Sequence, residues 1–368
     1  MQFGLSESQE FLQDSARKFF AGECPSAEMR RLMGTETAYD AALWSKLTDQ
    51  GYTGIIYPEI YGGVGLGKVE LMLLMEEAGR ALLPGPFFST VVLAGAVLDA
   101  VGMPAHKSKY LAAICRGETR ATVAIPEAGG SWHPEDVQMS ASGGKLTGEK
   151  CFVPDAAVAD FIIVVARNGV FIVDPKARGV KISPMSGMDL TRKLYAIEFS
   201  GAPAEEIGGA TAGLTRALDI ATAALAAELV GGMQRTLDLT LEYAKTRKQF
   251  GKPIGMFQAV QHQCADMYLE TESARSAVYY AGWALEENSP DAATAVSIAK
   301  MYASDAARTV GNRGIQIHGG MGFTWENDIH LYYRRAKASE TAFGDATFHR
   351  ERIASLVIDS GCVTAKSA

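Results

Sequence analysis

The chain has 368 residues, more than a single hydrophobic core usually serves, so we expect two or three domains. Its 48% hydrophobic and 21% charged residues are typical of a globular protein, and a formal net charge of −7 without a basic tract argues against a nucleic-acid partner. The five cysteines are scattered and no apolar run reaches the ~20 residues that span a bilayer, so we expect a cytoplasmic protein with reduced thiols, no metal site and no membrane span.

Residues 1–118 are predicted to form an N-terminal helical domain. Segments such as SESQEFLQDSARKFFAGE and KVELMLLMEEAGRALL repeat apolar residues every three or four positions, as a helix with one buried face does. Ser6 is placed to cap the first helix. The segment GYTGIIYPEIYGGVGLG, residues 51–67, interrupts the helices, and we expect its glycines to supply positive φ angles or close backbone approach.

Residues 119–207 predict a small central β domain that is mostly antiparallel. Short runs rich in Val and Ile, such as RATVAIPE and DFIIVVARNGVFIVDP, are separated by Gly, Pro, Asn and Asp. The sequences GGK and RNGV are typical of turns between paired strands.

Residues 208–368 predict a C-terminal helical bundle. TAGLTRALDIATAALAAELVGGMQRTLDLTLEYAKTRKQFG is a long helical pattern without proline, and SPDAATAVSIAKMYASDAARTVGNRGIQIHG is another. Long helices with an apolar stripe associate into bundles, and an alanine-rich stripe favours the close packing often found at subunit interfaces. The predicted fold class is therefore α+β and multi-domain, in the order helices, β domain, helical bundle.

Two C-terminal segments carry residues suited to a ligand with phosphate groups and a flat ring. In YAKTRKQFGKPIGMFQAVQHQCADM, Arg247 can hold a phosphate through its planar guanidinium, and Phe250 can pack against a ring. In RGIQIHGGMGFTWENDIHLYYRRAKA, Gln316 can bond a polar ligand edge, and the backbone at Gly319 and Gly320 can bind an anion. The alternatives are an ordinary helix–turn–helix with a solvated basic end and a helix that ends in glycine.

A third segment, GEKCFVPDAAVADFIIVVAR, opens a buried strand with an aromatic residue. The edge of this strand, at Phe152 and Pro154, can press on a flat cofactor, although taken alone it is only a strand. His318, beside the paired glycines, is expected to be a packed histidine at a helix end rather than a base.

Taken together and in this order, these motifs resemble the acyl-CoA dehydrogenase family, over nearly all of the chain. RKQFGKPIGMFQAVQHQCADM is similar to the family segment R-x-x-F-G-x-x-I-x-x-F-Q that leads into A-D-M. QIHGGMGFTWENDIHLYYRRAKA is similar to Q-I-x-G-G-x-G-F-x-x-E followed by R-x-A-K, and YPEIYGGVGLG resembles P-E-x-x-G-G-x-G. The resemblance implies an N-terminal helical domain, a central antiparallel β domain and a C-terminal four-helix bundle.

The resemblance also implies FAD as cofactor, a dimeric or tetrameric assembly and an acyl-CoA substrate. In the family a carboxylate takes the α-proton while the β-hydrogen leaves as hydride, and an electron-transfer flavoprotein receives the electrons. By family position Arg247 and Phe250 reach the adenosine diphosphate half of FAD, and Gln316, Gly319 and Gly320 meet the same cofactor. These contacts cross a dimer interface, so one chain's residues would serve its neighbour's flavin.

The positions that usually hold the catalytic base are apolar in this chain. Alignment of RAKASETAFGDATFHR puts Phe343 where many members carry a glutamate, and the position used by other members, on the first bundle helix, holds Ala221. Glu228 lies two helical turns beyond Ala221 in an apolar run, and is either a base or a buried partner of an arginine. Asp345 is near the flavin by family position, and we favour a flavin contact or a helix cap over a base.

The β domain departs from the family pattern too. VAIPEAGGSW stands where members often have T-E-P-x-A-G-S-D, so the threonine and the acid are lost. Phe152 and Pro154 lie where W-I-T meets the flavin ring, and Pro154 replaces the threonine hydroxyl. The contacts to a neighbour's FAD are therefore kept, whereas those to the chain's own flavin ring and substrate are eroded.

Three functions follow as alternatives. The chain is a homomeric dehydrogenase that uses Glu228 or Asp345, or it is a non-catalytic subunit that completes the FAD site of a partner in a heteromeric dehydrogenase. Similar paired subunits occur in bacterial steroid side-chain degradation, which would suit a bulky CoA thioester. The third alternative is a related flavoenzyme of the same fold, an acyl-CoA oxidase or flavin monooxygenase.

Overall fold

The structure is a computed structural model that describes residues 4–209 and 211–359. Two compact units make up the fold. The first takes its described residues from the ranges Met1–Ser26, Lys68–Leu83 and Thr222–Ala368, and the second from Ala27–Gly67 and Pro84–Ala221. The second unit contains both four-stranded sheets, and the first is built of helices and one short hairpin.

In chain order the α-helices within the described residues are α1 (Glu7–Glu23), α2 (Ser26–Met33), α3 (Ala41–Asp49), α4 (Lys68–Arg80), α5 (Gly95–Val101), α6 (Pro104–His106), α7 (Ala112–Cys115), α8 (Thr211–Thr246), α9 (Gln258–Glu286), α10 (Ala292–His318), α11 (Ile329–Thr341) and α12 (Ala346–Ala354). The strands are β1 (Ala121–Ala124), β2 (Ala141–Ser142), β3 (Lys145–Pro154), β4 (Phe161–Ala166), β5 (Gly169–Val173), β6 (Val180–Met185), β7 (Leu194–Pro203), β8 (Glu205–Gly208), β9 (Lys248–Gln249) and β10 (Lys252–Pro253). Short 3-10 and π-helical turns connect several of them.

Helix α1 begins at a capping box. The Ser6 hydroxyl accepts the backbone N–H of Gln9 at 3.3 Å, and the Gln9 side chain accepts the backbone N–H of Ser6 at 2.9 Å. This pair satisfies two backbone donors that the first turn of a helix leaves unbonded. The expected cap at Ser6 is confirmed.

The glycines of the turn between α3 and α4 serve both expected purposes. Gly62 and Gly65 have φ angles of 80° and 75°, a region that favours glycine. A Cβ atom on Gly63 would lie 2.0 Å from the carbonyl oxygen of Tyr57, so the backbone passes too close there for any side chain.

The β domain consists of two four-stranded sheets, in the orders β1-β4-β5-β8 and β2-β3-β7-β6. All pairs are antiparallel except β1 with β4, which run parallel in the register Ala121 to Phe161. The expectation of a mostly antiparallel domain is confirmed, with this one parallel pair as the exception. The reason is that the chain leaves β1 for the other sheet and returns to β4, and such a crossover permits parallel neighbours.

The two predicted hairpin turns are present in this domain. GGK connects β2 to β3, and Gly143 and Gly144 have φ angles of 56° and 69°, as a two-residue turn between twisted strands requires. RNGV connects β4 to β5, with Ala166 paired to Gly169.

Helices α4 and α8 cross closely within the first unit. A Cβ atom on Gly231 would lie 1.7 Å from the carbonyl oxygen of Glu76, and one on Gly79 would lie 2.0 Å from that of Glu228. The two backbones are therefore in direct contact, which only residues without a side chain allow. Helices α9, α11 and α12 pack on α10.

Four of the five cysteines lie buried in the described part of the chain, where none forms a disulfide, and Cys362 lies outside it. Across residues 4–209 and 211–359, no helix combines the length and apolarity needed to cross a membrane. The same residues contain no group of three or more His, Cys, Asp or Glu side chains arranged to hold a metal ion.

Candidate flavin and active site

Phe250 stands at the tip of a short hairpin that follows α8. Strands β9 and β10 pair through Gln249 and Lys252, which leaves Phe250 and Gly251 as the turn, with φ angles of 52° and 79°. The Phe250 side chain is 92% exposed. A left-handed conformation is costly for an aromatic residue, and here the chain adopts it at a ring that it does not bury. Arg247, just before the hairpin, is exposed as well.

The end of α10 presents bare backbone to solvent. Gln316, Gly319 and Gly320 are exposed, and Gly319 has φ 61° and ψ −139°, a combination open in practice only to glycine. A Cβ atom added at either glycine would meet nothing within 4 Å. The two glycines are therefore not required by packing within the described chain, and they leave a surface that a ligand can approach closely.

A stacked pair of rings joins these two segments. Tyr243, one turn before Arg247 on α8, stacks on His318 with 4.4 Å between ring centroids, and its hydroxyl donates to the His318 carbonyl at 3.4 Å. His318 Nδ1 lies 2.8 Å from the carbonyl oxygen of Gly314, and burial lowers the pKa of the imidazole. His318 is thus a packed histidine, as expected. Its contact with Tyr243 places Gly319 and Gly320 near the end of α8, which the β9–β10 hairpin follows.

The residues of this surface fit the cofactor implied by the resemblance. A guanidinium suits a phosphate, an exposed aromatic ring suits a flat heterocycle, and side-chain-free backbone permits close approach. Five of the seven expected contact residues lie on the first unit: Arg247, Phe250, Gln316, Gly319 and Gly320.

Phe152 and Pro154, the two candidate contacts of the β domain, belong to the second unit and differ in accessibility. Phe152 lies in a β-bulge of β3, with φ 56° and a 38% exposed side chain. Pro154 is buried, and its carbonyl oxygen accepts the Thr122 hydroxyl at 2.6 Å. Of these two residues, only Phe152 presents its side chain to solvent.

The loop VAIPEAGGSW is fixed by an ion pair between a buried lysine and a half-buried glutamate, which the sequence did not reveal. Lys150, fully buried on β3, donates to Glu127 Oε1 at 3.0 Å and to the carbonyl oxygen of Ile125 at 2.8 Å. The Glu127 carboxylate also accepts the backbone N–H of Met139 at 2.8 Å. Burial alone would raise the pKa of Glu127, but these hydrogen bonds hold it below its usual range. The acid in this loop is therefore committed to structure.

The two usual positions of the base hold buried apolar side chains. Ala221 is fully buried on α8, and Phe343 is 5% exposed in the loop between α11 and α12. Neither side chain can accept a proton.

Glu228 lies in an ion pair with an arginine that is buried equally deeply. Arg335 Nη1 is 2.5 Å from Glu228 Oε1, and both residues are 3% exposed. Arg335 also donates to the carbonyl oxygen of Leu83 at 3.3 Å. Of the two roles weighed for Glu228, this geometry favours the structural partner of an arginine.

Asp345 is exposed and occupies the N-cap of α12. Its carboxylate accepts the backbone N–H of Phe348 at 2.9 Å, which satisfies a donor in the first turn. The preceding Gly344 has φ 95°, and a Cβ there would lie 2.3 Å from the Phe348 ring. This geometry favours the helix cap over the base.

A second buried lysine, Lys300 on α10, reaches the same loop and was not anticipated. It donates to the carbonyl oxygens of Glu340 and Gly344, each at 3.0 Å, and to the hydroxyl of Ser304 at 3.1 Å. The signal in the sequence was a single lysine in the apolar pattern SIAKMYASDAA, where a charged residue is unusual on the buried face.

Comparison with known proteins identifies the family. The acyl-CoA dehydrogenase N-terminal domain matches residues 6–118, and the acyl-CoA dehydrogenase C-terminal domain matches residues 209–358. The chain therefore belongs to the acyl-CoA dehydrogenase family. It is 33% identical over 336 residues to the acyl-CoA dehydrogenase IpdE2 of Mycobacterium tuberculosis, across 90% of this chain and 92% of that protein.

Solved structures of the family have the same fold. The Tcur3481–Tcur3483 steroid acyl-CoA dehydrogenase superposes with a TM-score of 0.88 at 31% identity, over 97% of this chain and 99% of that chain. The ChsE4–ChsE5 complex from Mycobacterium tuberculosis gives 0.89 at 29% identity, over 97% and 99%. PigA, solved with FAD and proline, gives 0.87 at 26% identity, over 96% and 98%. The fold class, an N-terminal helical, a central β and a C-terminal helical domain, is confirmed.

Proposed function

We propose that this chain is a subunit of an FAD-dependent acyl-CoA dehydrogenase and that its part is to complete the flavin site of a neighbouring chain. The reaction is the α,β-desaturation of an acyl-CoA thioester. The observation that carries the proposal is Phe250, a strained and almost fully exposed aromatic ring that its own described chain does not bury. A ring kept in that state is suited to contact something outside the chain.

The roles of the surface residues follow from their chemistry. Arg247 would bind phosphate oxygens, Phe250 would pack on a flat ring, and Gln316 would bond a polar edge of the cofactor. Gly319 and Gly320 would let the cofactor lie against backbone. Bound FAD would supply the hydride acceptor for the substrate's β-hydrogen.

The α-proton would be removed by a residue of the partner chain. In this chain Phe343 and Ala221 fill the usual positions of the base, Glu228 is held by Arg335, and Asp345 caps a helix. A carboxylate locked in a buried ion pair is a poor general base, because protonation would leave the arginine uncompensated.

The similar proteins support a heteromer with a bulky substrate. Two of the solved structures combine two differently named chains, and one of these is described as a steroid enzyme. We therefore propose a steroid-type CoA thioester as substrate, a second dehydrogenase-like chain as partner, and an electron-transfer flavoprotein as acceptor, all in the cytoplasm.

A homomeric dehydrogenase is the second candidate. It is favoured by the position of Asp345, an exposed carboxylate two residues beyond the position of the family's glutamate. In that case each chain would bind its own complement of FAD and Asp345 would have to leave the N-cap of α12.

The deciding experiment is the FAD stoichiometry of the native protein, measured by absorbance. The chain purified alone should carry little flavin, and flavin should appear on co-expression with a second dehydrogenase-like chain of the same organism that has a glutamate in the α11–α12 loop. One FAD per chain in the protein purified alone would overturn the proposal in favour of the homomer. Phe250→Ala should lower the flavin content of the complex, whereas the control Phe11→Ala, an exposed phenylalanine of α1, should not.

A further inference from the structure

The buried ammonium of Lys300 forms hydrogen bonds with the end of α11 and with the loop between α11 and α12. The three hydrogen-bond partners of this group are uncharged oxygens: the carbonyls of Glu340 and Gly344 and the hydroxyl of Ser304. The side chain is fully buried. Burying a lysine is costly, so a lysine retained at such a position has to offset that cost through the hydrogen bonds it makes.

The chain needs these bonds because it reverses direction abruptly here. Helix α11 ends at Thr341, and Phe343 and Gly344 then follow with φ angles of 59° and 95°, two consecutive left-handed residues. The last carbonyls of a helix have no partner within the helix. Lys300 satisfies that of Glu340, and a cation at a helix C-terminus is also favoured by the helix dipole.

A second buried side chain completes the arrangement. His349 Nε2, on α12, lies 3.1 Å from the carbonyl oxygen of Phe343, so this nitrogen must carry the proton. Burial and then the charge of Lys300 lower the pKa of His349 to about 3, which keeps the imidazole neutral. Three carbonyls, one in the last turn of α11 at residue 340 and two in the loop at residues 343 and 344, are thus bonded to two side chains from two different helices.

The carboxylates that act on the ammonium are those of Glu340 on α11 and Asp345 at the start of α12. The Glu340 carboxylate is bonded to Arg308 and Lys337, and Asp345 on α12 is exposed. Desolvation is the larger effect and lowers the pKa of Lys300 to about 7, although the two carboxylates act in the opposite direction. The amine is therefore poised between two protonation states near neutral pH.

The hydrogen bonds can be kept in both states. The ammonium has three N–H donors for the two carbonyls and Ser304 Oγ. The neutral amine has two N–H donors for the two carbonyls, and its lone pair can accept the Ser304 hydroxyl, which rotates freely enough to donate or accept.

We infer that Lys300 is a positioning residue that fixes the α11–α12 loop, including Phe343 at the place of the family's glutamate, and that it does so in either protonation state. Its bearing on the reaction rests on the proposed function, because a loop fixed with Phe343 in that place keeps a carboxylate out of it. The hydrogen bonds that hold the loop are made by residues of this chain.

Hydrogen exchange of the full-length chain, read by mass spectrometry, tests this inference without flavin or substrate. Lys300→Met should raise exchange in peptides covering residues 341–347 by ~10-fold or more, while peptides of the α8 hairpin, residues 243–256, stay unchanged. The control Lys337→Met removes a lysine bonded to the carboxylate of Glu340 rather than to its carbonyl, and should leave the loop protected. A folded Lys300→Met protein with unchanged loop exchange would overturn the inference.

The wild-type chain offers an independent test if Lys300→Met does not fold. After correction for intrinsic exchange, protection of residues 341–347 at pH 6 and at pH 9 should agree within ~3-fold, because the loop is held in both states. A loss of protection of ~10-fold or more at pH 9 would show that only the ammonium holds the loop. This result is independent of flavin stoichiometry, so a failure here and a failure of the proposed function can be told apart.

Discussion

Glu228 and Arg335 form an ion pair that links α8 to α11 within the first unit, and both side chains are almost fully removed from solvent. Such a pair adds little net stability when it is complete, but it becomes expensive when one partner is removed, because the other charge is left buried. We therefore expect substitution of Glu228 to lower the stability of the fold rather than to remove a catalytic group.

Glu228→Gln is expected to destabilise the protein without abolishing desaturation by the assembled enzyme. Removing one partner of a buried pair typically costs ~3–5 kcal/mol, so the midpoint of urea unfolding should fall clearly. The control Glu242→Gln, an exposed glutamate on the same helix, should leave the midpoint almost unchanged. Loss of desaturation at unchanged stability would instead identify Glu228 as the base.

Phe250→Gly should separate stability from cofactor binding. Glycine adopts φ 52° without strain, so the melting temperature of the chain should stay within ~2 °C of wild type or rise. The affinity of the complex for FAD should nevertheless fall by ~10-fold or more, because the contact of an aromatic ring is lost. Fluorescence titration of the apo complex with FAD measures the second effect. Unchanged affinity would remove Phe250 from the flavin site.

Two adjacent glycines of α8 provide a matched test of the α4–α8 crossing. Gly231→Ala places a Cβ 1.7 Å from the carbonyl oxygen of Glu76 and should destabilise by ~1–3 kcal/mol or more as the helices separate. For Gly232→Ala the nearest atom is Tyr332 Cδ1 at 3.9 Å, so the gain in helix propensity should stabilise by ~0.5–1 kcal/mol. The free energy of unfolding of both variants is measured by urea denaturation. Equal changes for Gly231→Ala and Gly232→Ala would contradict the close crossing of α4 with α8.

His349 should make stability depend on pH below neutrality. Its pKa in the folded protein is lowered to about 3 from an ordinary value near 6.5, so the unfolded chain binds the extra proton between these values. Stability should therefore fall as the pH drops from 6.5 toward 3. His349→Gln keeps a donor for the Phe343 carbonyl but cannot titrate, so its urea midpoint should depend less on pH over this range. Identical slopes for variant and wild type would exclude His349 as the source.

The fold class could be predicted from the sequence because it depends on local order. Helical periodicity, turn glycines and the two C-terminal motifs are each read from residues that are close together in sequence. Such local patterns determine the helices and turns that the fold contains. The parallel pairing of β1 with β4 could not be read in this way, because pairing partners distant in sequence are set by tertiary packing.

The roles of the buried charges were also hidden from the sequence. Lys150 with Glu127 and Lys300 with the α11–α12 loop are long-range contacts, and a lone lysine in an apolar pattern does not name its partner. For Glu228 the sequence left two roles open, since the arginine that meets it lies more than a hundred residues away on another helix. Asp345 was expected as a cap or a flavin contact, and its short-range bond to Phe348 is of the kind that sequence can indicate.

The exposed ring of Phe250 has a consequence for inheritance. If Phe250 bears strain in this chain and serves a site in another, selection on the stability of this chain alone would not preserve it. In a shared site, substitutions at Phe250 would leave the encoded protein folded and abundant while silencing a different gene's product. Losses of function mapped to this locus would then be rescued by supplying this chain in trans, but never by a more stable version of its partner.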